Sequence, residues 1–220
     1  MTYVMSDIHG HRERFDSIME QIDLQPEDKL YILGDVIDRN RHGLSILYQL
    51  MRMPNVTLLL GNHEYMMLDA LENPDDPWVW DLWYDNGGRV THYHWTRIPV
   101  YAQKLFLQYL KSLPINVSIQ VDGKDYLLVH GAPEICWSKD MSRYKNATAY
   151  AVWERIDPDT KYVKGQTIIF GHTPTLNYQD GSPLRIWEGE NKIGIDCGCA
   201  YPVGCLACLR LEDGEVFYAQ

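Results

Sequence analysis

The stretch that decides the fold is MTYVMSDIHG (1–10), continued by KLYILGDVIDRN (29–40) and VTLLLGNHE (56–64). In each piece an apolar run ends on a short polar cluster. Tyr3 to Met5 ends at Ser6-Asp7, Leu30 to Leu33 at Gly34-Asp35, and Val56 to Leu60 at Gly61-Asn62-His63. Between the first two runs, Phe15, Ile18, Met19 and Ile22 recur at helical spacing. Between the second and third, Leu44, Leu47 and Met51 do the same, with Ile46 and Leu50 beside them, and Pro54 stops the pattern. The first sixty residues therefore predict strand, helix, strand, helix, strand. Such alternation needs crossover connections and gives a largely parallel sheet. All three polar clusters follow the carboxyl ends of strands, where open α/β sheets place their ligand sites.

Working outward, Trp78, Trp80, Leu82 and Trp83 predict a short aromatic helix that Asn86-Gly87-Gly88 ends. Core or surface packing is the simplest role for those tryptophans. Asp75 and Asp76 read as a solvated loop before them. Tyr101 to Leu113 predicts another helix, stopped before Pro114. Ile115 to Val121 and Tyr126 to His130 predict a hairpin around Asp122-Gly123. Thr167 to Phe170 reads as a strand that ends at Gly171-His172. The C-terminal third predicts closely spaced strands, with Asp213-Gly214 as one turn, forming a second mixed or antiparallel sheet packed on the first. No linker divides the chain, so the expectation is one α/β domain over residues 1–220.

The net charge of -10 argues against general binding to nucleic acid or anionic membranes, both of which need basic patches. It does not exclude an anionic substrate, because a metal cluster reverses the field within one cleft. No apolar run approaches the ~20 residues that span a bilayer, and the N-terminus lacks a secretory pattern. The expected location is cytoplasmic. The five cysteines, Cys136, Cys197, Cys199, Cys205 and Cys208, make a poor disulfide framework. A zinc site from the last four is disfavoured, because residues three apart on a strand face opposite ways.

The chemistry lies at the strand ends. Asp7 and His9 are two residues apart, and in an extended segment both would point the same way and reach one ion. Asp35 follows the second strand with two oxygens that can bridge two ions. Asn62, His130 and His172 follow three further strands and would complete a second sphere. This nitrogen and oxygen set, with no thiolate, suits manganese, iron or zinc better than calcium or copper(I). His11, His42, His92 and His94 stand alone and read as solvated or turn residues.

SDIHG (6–10), GDVIDRN (34–40), GNHE (61–64), VHGA (129–132) and GHT (171–173) together resemble, in order, the motifs of the metal-dependent phosphoprotein phosphatases. The wider calcineurin-like metallophosphoesterases share that scaffold, a sandwich of two mixed β-sheets flanked by helices. GNHEYMMLDAL (61–71), LWYDNGGRVT (82–91) and IDCGCAYPVGCLACLRLEDGE (195–215) are similar to the bacterial and bacteriophage branch. The resemblance implies that Asp7, His9 and Asp35 bind one metal, and that Asp35, Asn62, His130 and His172 bind the other. It implies that His63 is the general acid, that Asp38 orients it and raises its proton affinity, and that Arg39 and Arg155 hold the phosphate. Three positions depart from the pattern. Ser6, Asn40 and Ala132 stand where the family often has glycine, and Asn40 is the one suited to a left-handed backbone.

Three functions compete. The first is a serine/threonine protein phosphatase, acting also on phosphotyrosine. The second is a hydrolase of dinucleoside polyphosphates such as diadenosine tetraphosphate. The third is a non-catalytic scaffold, which ranks last because every ligand and His63 are present. The partners expected are a phosphorylated protein or a small phosphoester, two metal ions, no nucleic acid and no membrane.

Overall fold

The computed structural model of the protein describes residues 1–133, 143–159, 165–179 and 184–220. Cys136 lies outside them. The predicted alternation appears as β1 (Thr2–Met5), α1 (Arg12–Ile22), β2 (Lys29–Ile32), α2 (Gly43–Leu50) and β3 (Val56–Leu58). The three strands pair in parallel, β1 with β2 and β2 with β3. A helical block follows: α3 (Asn62–Glu72), α4 (Pro77–Trp83), α5 (Arg89–Trp95) and α6 (Val100–Lys111). Then come β4 (Asn116–Val121), β5 (Lys124–Val129), α7 (Ala147–Trp153), β6 (Gln166–Phe170), β7 (Trp187–Gly189), β8 (Lys192–Gly194), β9 (Leu206–Arg210) and β10 (Val216–Ala219).

Two five-stranded mixed sheets result, in the orders β10-β9-β1-β2-β3 and β4-β5-β6-β8-β7. The second sheet therefore starts at the predicted hairpin in mid-chain. The last two strands return to the first sheet, where β9 pairs antiparallel with β1. The cause is apolar burial on both faces. Leu206 and Cys208 pack on the helical side, while Leu209 and Leu211 enter the layer between the sheets.

Strand alternation sorts the layers. Tyr3, Met5, Leu30 and Ile32 face α1, α2 and α3 with Phe15, Ile18 and Leu47. Val4, Leu33, Leu128, Ile169 and Ile195 fill the space between the sheets. Val129, Ile168 and Phe170 pack with Tyr150 of α7 on the far side. The order is helices, sheet, sheet, helix. The carboxyl ends of β1, β2 and β3 thus come together with those of β5 and β6.

The block after α3 differs from the sequence expectation. Asn86-Gly87-Gly88 does not end the tryptophan helix. Tyr84–Gly88 form a π turn, Gly87 takes a φ of +98°, and the chain re-enters a helix as α5. Asp76, expected to be merely solvated, caps α4 by accepting from Trp78 N at 3.0 Å. Trp83 is fully buried and Trp78 is 80% exposed. The four described cysteines are buried and free. Cys205 and Cys208 sit in separate apolar clusters, as their spacing required. No helix among the described residues is long and apolar enough to cross a membrane.

Candidate metal centre

Asp7 and His9 follow β1, but not in the extended segment the sequence suggested. Their φ values are +54° and +48°, so the chain coils left-handedly there. The reason is the parallel neighbour. Asp7 N donates to Gly34 O at 3.2 Å, His9 N to Asp35 O at 2.9 Å and Gly10 N to Val36 O at 2.7 Å. The loop after β1 is thereby laced to the loop after β2. The two side chains still converge, with His9 Nε2 3.9 Å from Asp7 Oδ1 and 3.8 Å from Asp35 Oδ2. Asp35, Asp38, Arg39 and His172 also have positive φ, so the functional residues themselves make most of the turns. Asn40 does not; its side chain donates to His9 O at 3.0 Å instead. At the other departures, Ser6 Oγ donates to Asp7 Oδ2, and Ala132 N donates to Ala151 O at 2.9 Å.

The structure brings all six predicted ligands to one buried place. Asp7, His9, Asp35, Asn62 and His130 are buried, and His172 is partly buried. Each imidazole is held by one nitrogen, which fixes its tautomer. His9 Nδ1 faces Ile37 O at 3.1 Å, His130 Nδ1 faces Leu33 O at 2.5 Å, and His172 Nε2 faces Trp153 O at 3.1 Å. A carbonyl only accepts, so those nitrogens carry the protons. The opposite nitrogens then present lone pairs inward.

Two sets of ligand atoms lie close enough to hold an ion: His9, Asp35 and His63, and Asp35, His130 and His172. Asp35 belongs to both. Asn62 Oδ1 is 2.9 Å from His130 Nε2 and 2.9 Å from His172 Nδ1. Two lone-pair nitrogens and a carbonyl oxygen at that separation repel one another unless a cation lies among them. The residues therefore fit metal ions. Asp7 is in neither set, though it is next to His9. His63 enters the first set, which the sequence reading had kept for Asp7.

The electrostatics agree with a cation site. Burial, then the nearby Asp196, pushes the Asp7 carboxyl well above its ordinary range. Burial, then Asp7 and Glu64, does the same to Asp35. Burial, then His63, holds His9 well below the usual imidazole range, and burial with His172 does so for His130. His172 is pushed down to about 3 by burial and by Arg155. Neutral imidazoles are the form that binds metal, and the crowded carboxyls would be restored to their anionic form by a cation among them.

His63 Nδ1 faces Asp38 Oδ2 at 2.7 Å, and its Nε2 is 3.3 Å from Arg39 Nη2 and 3.8 Å from Asp35 Oδ2. The predicted His63–Asp38–Arg39 grouping is therefore present. Asp38 was expected to raise the proton affinity of His63. Burial, Arg39 and His130 act against that contact and hold His63 well below the ordinary value. Burial also lifts Asp38 to about 7, which weakens it as a counter-ion. Arg155 is exposed just past α7, where its charge reaches His172.

Sequence reasoning gave no role to Glu64. Its buried carboxylate accepts from Asp35 N and Val36 N, both at 2.9 Å, from Gly61 N at 3.2 Å and from Ile37 N at 3.3 Å. It pins the Asp35 loop to the start of α3. The signal was available in part, since a Glu at the third helical position can reach back to the N–H of the cap residue, here Gly61. Thr91 and Trp83 were missed as well. Asp38 N donates to Thr91 Oγ1 at 3.0 Å, and Trp83 Nε1 donates to Asp38 Oδ2 at 2.9 Å.

A family model for calcineurin-like phosphoesterases matches residues 2–196. Serine/threonine-protein phosphatase 2 of Salmonella typhimurium is 32% identical over 129 residues, 58% of this chain and 56% of that one. A symmetrical bis(5'-nucleosyl)-tetraphosphatase of Haemophilus ducreyi is 34% identical over 73 residues, 32% of this chain and 27% of that one. The chain thus spans about half, or less, of the length of these curated relatives. A solved structure, named as that of a candidate diadenosine tetraphosphatase, superposes with a TM-score of 0.65 at 16% identity, over 99% of this chain and 92% of that one. At that identity the likeness is one of fold.

Proposed function

The chain belongs to the calcineurin-like phosphoesterase family and is a metallophosphoesterase; on that footing we propose that it is a protein phosphatase acting on phosphoserine and phosphothreonine, and also on phosphotyrosine. The observation that carries the reading is Asp35, shared by a set with His9 and His63 and a set with His130 and His172, with Asp38 and Arg39 against His63. Asp7, beside His9, would join His9 and Asp35 in holding one ion, and Asp35, Asn62, His130 and His172 would hold the other. Manganese, iron and zinc suit these donors. When bound, such ions polarise a phosphoryl oxygen and make water acidic enough to attack near neutral pH.

The chain's own groups do the rest. Arg39 holds the phosphate with its planar fork, and Arg155 closes on it from the end of α7. His63 protonates the leaving oxygen through Nε2, while Asp38 keeps Nδ1 occupied. For this, Nε2 must carry a proton, and the contact with Asp38 and the negative charge of a bound phosphate favour that form against the burial that opposes it. The likeness to Salmonella serine/threonine phosphatases, one of them 28% identical over 81% of this chain, supports the protein substrate.

Hydrolysis of dinucleoside polyphosphates is the second reading, and the name of the Haemophilus relative favours it. The test is a side-by-side assay of the manganese-loaded protein on a phosphoserine peptide and on diadenosine tetraphosphate. The expected result is the higher kcat/KM on the peptide and loss of both activities with a chelator. Rapid cleavage of the dinucleotide alone would overturn the protein-phosphatase reading.

A further inference from the structure

Asp38 has no contact with solvent, and its Oδ1 has no hydrogen-bond partner among the described residues. The Asp38 Oδ2 accepts from His63 Nδ1 at 2.7 Å and from Trp83 Nε1 at 2.9 Å, and the Thr91 hydroxyl also acts on the carboxyl. Its own N–H donates to Thr91 Oγ1, and the next N–H, that of Arg39, donates to Gly87 O at 3.2 Å. Three groups from one helical excursion, residues 77–95, therefore grip the dipeptide Asp38-Arg39.

The excursion is built for that grip. In an unbroken α-helix residues 83, 87 and 91 would follow one another along the helix surface, and the main-chain carbonyl of 87 would be used within the helix. Here the π turn with Gly87 at φ +98° frees that carbonyl to face Arg39 N. A side chain at Gly87 would meet Arg39 Cγ at 2.9 Å, and one at Gly88 would strike the Trp83 ring at 2.3 Å. Both glycines clear space for the contact. Trp83 and Thr91 are 0% and 3% exposed, so neither bond competes with water.

We infer that Trp83 and Thr91 are positioning residues for the phosphoester reaction: they lock the rotation of the Asp38 carboxyl and so aim the Nε2 of His63. Without the indole N–H, Oδ1 and Oδ2 become interchangeable partners for His63, and the ring loses its fixed angle. The plainer alternative is that a buried indole simply finds an acceptor while it packs the core. The inference rests on the reading of His63 as the acid that serves the leaving group.

The two ideas separate by leaving group. A phosphoserine peptide expels an alkoxide that needs a proton, whereas p-nitrophenyl phosphate expels a stable phenolate that does not. In the manganese-loaded Trp83→Phe variant, kcat on the peptide should fall about tenfold or more. On p-nitrophenyl phosphate kcat should change far less, with KM, metal content and melting temperature kept. Thr91→Val should give the same pattern and Thr91→Ser should restore the peptide rate; this pair carries the test if the tryptophan variant does not fold. Equal losses on both substrates, or a change in KM alone, would overturn the positioning role. His63→Asn is run in parallel. If it also loses equally on both substrates, the acid reading itself fails; if only His63→Asn discriminates, the fault lies with Trp83 and Thr91.

Discussion

At the scale of single residues, one carboxylate faces three imidazoles. Asp35 lies 3.8 Å from His9, 3.8 Å from His63 and 3.4 Å from His130. Burial moves the acids and the bases in opposite directions, Asp7 and Asp35 up and His9 and His130 down. As pH falls, the carboxyls therefore take up protons earlier, and the imidazoles later, than they would in water. Carboxyl protons then compete with the metal at higher pH than usual, and affinity for Mn²⁺ should fall with falling pH as Asp7 and Asp35 protonate. Titration calorimetry in buffers of different ionisation enthalpy should show proton release on binding, reduced in Asp7→Asn. Release unchanged by that substitution would assign the titration to the imidazoles. The ligands were legible because they close apolar runs at five strand ends. Their backbone was not, because the left-handed turns at Asp7 and His9 are imposed by hydrogen bonds to residues 34–36, far along the chain.

At the scale of elements, α7 shows how a short helix serves the centre from a distance. Its seven residues follow the cap Asn146, whose Oδ1 accepts from Ala149 N at 2.8 Å, and end at Trp153, whose carbonyl orients His172. Ala151 O near the same end takes the N–H groups of Gly131 and Ala132, just past His130. Asn146→Ala should cost about 1 kcal/mol of stability and loosen the set formed by His130 and His172. A melt of the metal-free variant and a manganese titration would check both, and unchanged metal affinity would uncouple helix and site. The π turn could not be read from the sequence. Asn-Gly-Gly ordinarily stops a helix, and only the contact with Asp38 and Arg39, about fifty residues upstream, explains why the chain goes on into α5.

At the scale of the whole molecule, the two sheets share one site. Asp7, His9, Asp35 and Asn62 come from one sheet, and His130 and His172 from the other. Ions held by both sets would tie the sandwich together. At a hundred times its Kd, a ligand that binds only the folded state adds about 2.7 kcal/mol, and for a chain of this size that raises Tm by roughly 5–10 °C. Manganese added to chelator-treated protein should produce such a shift in a thermal melt. A melt indifferent to the ion would count against ligand sets that join the sheets. The strand–helix–strand–helix–strand start of the fold was plain from its alternating pattern. The return of β9 and β10 to the first sheet was not, because an apolar run such as LACLR does not say which neighbour it pairs with. A last consequence concerns the left-handed turns. Six of the nine described non-glycine residues with positive φ are Asp7, His9, Asp35, Asp38, Arg39 and His172. Each such conformation costs of order 1–3 kcal/mol, so the fold gives up stability at the very residues it uses. Selection of variants for thermal robustness alone would then drift toward glycine at these positions, trading turnover for a calmer backbone.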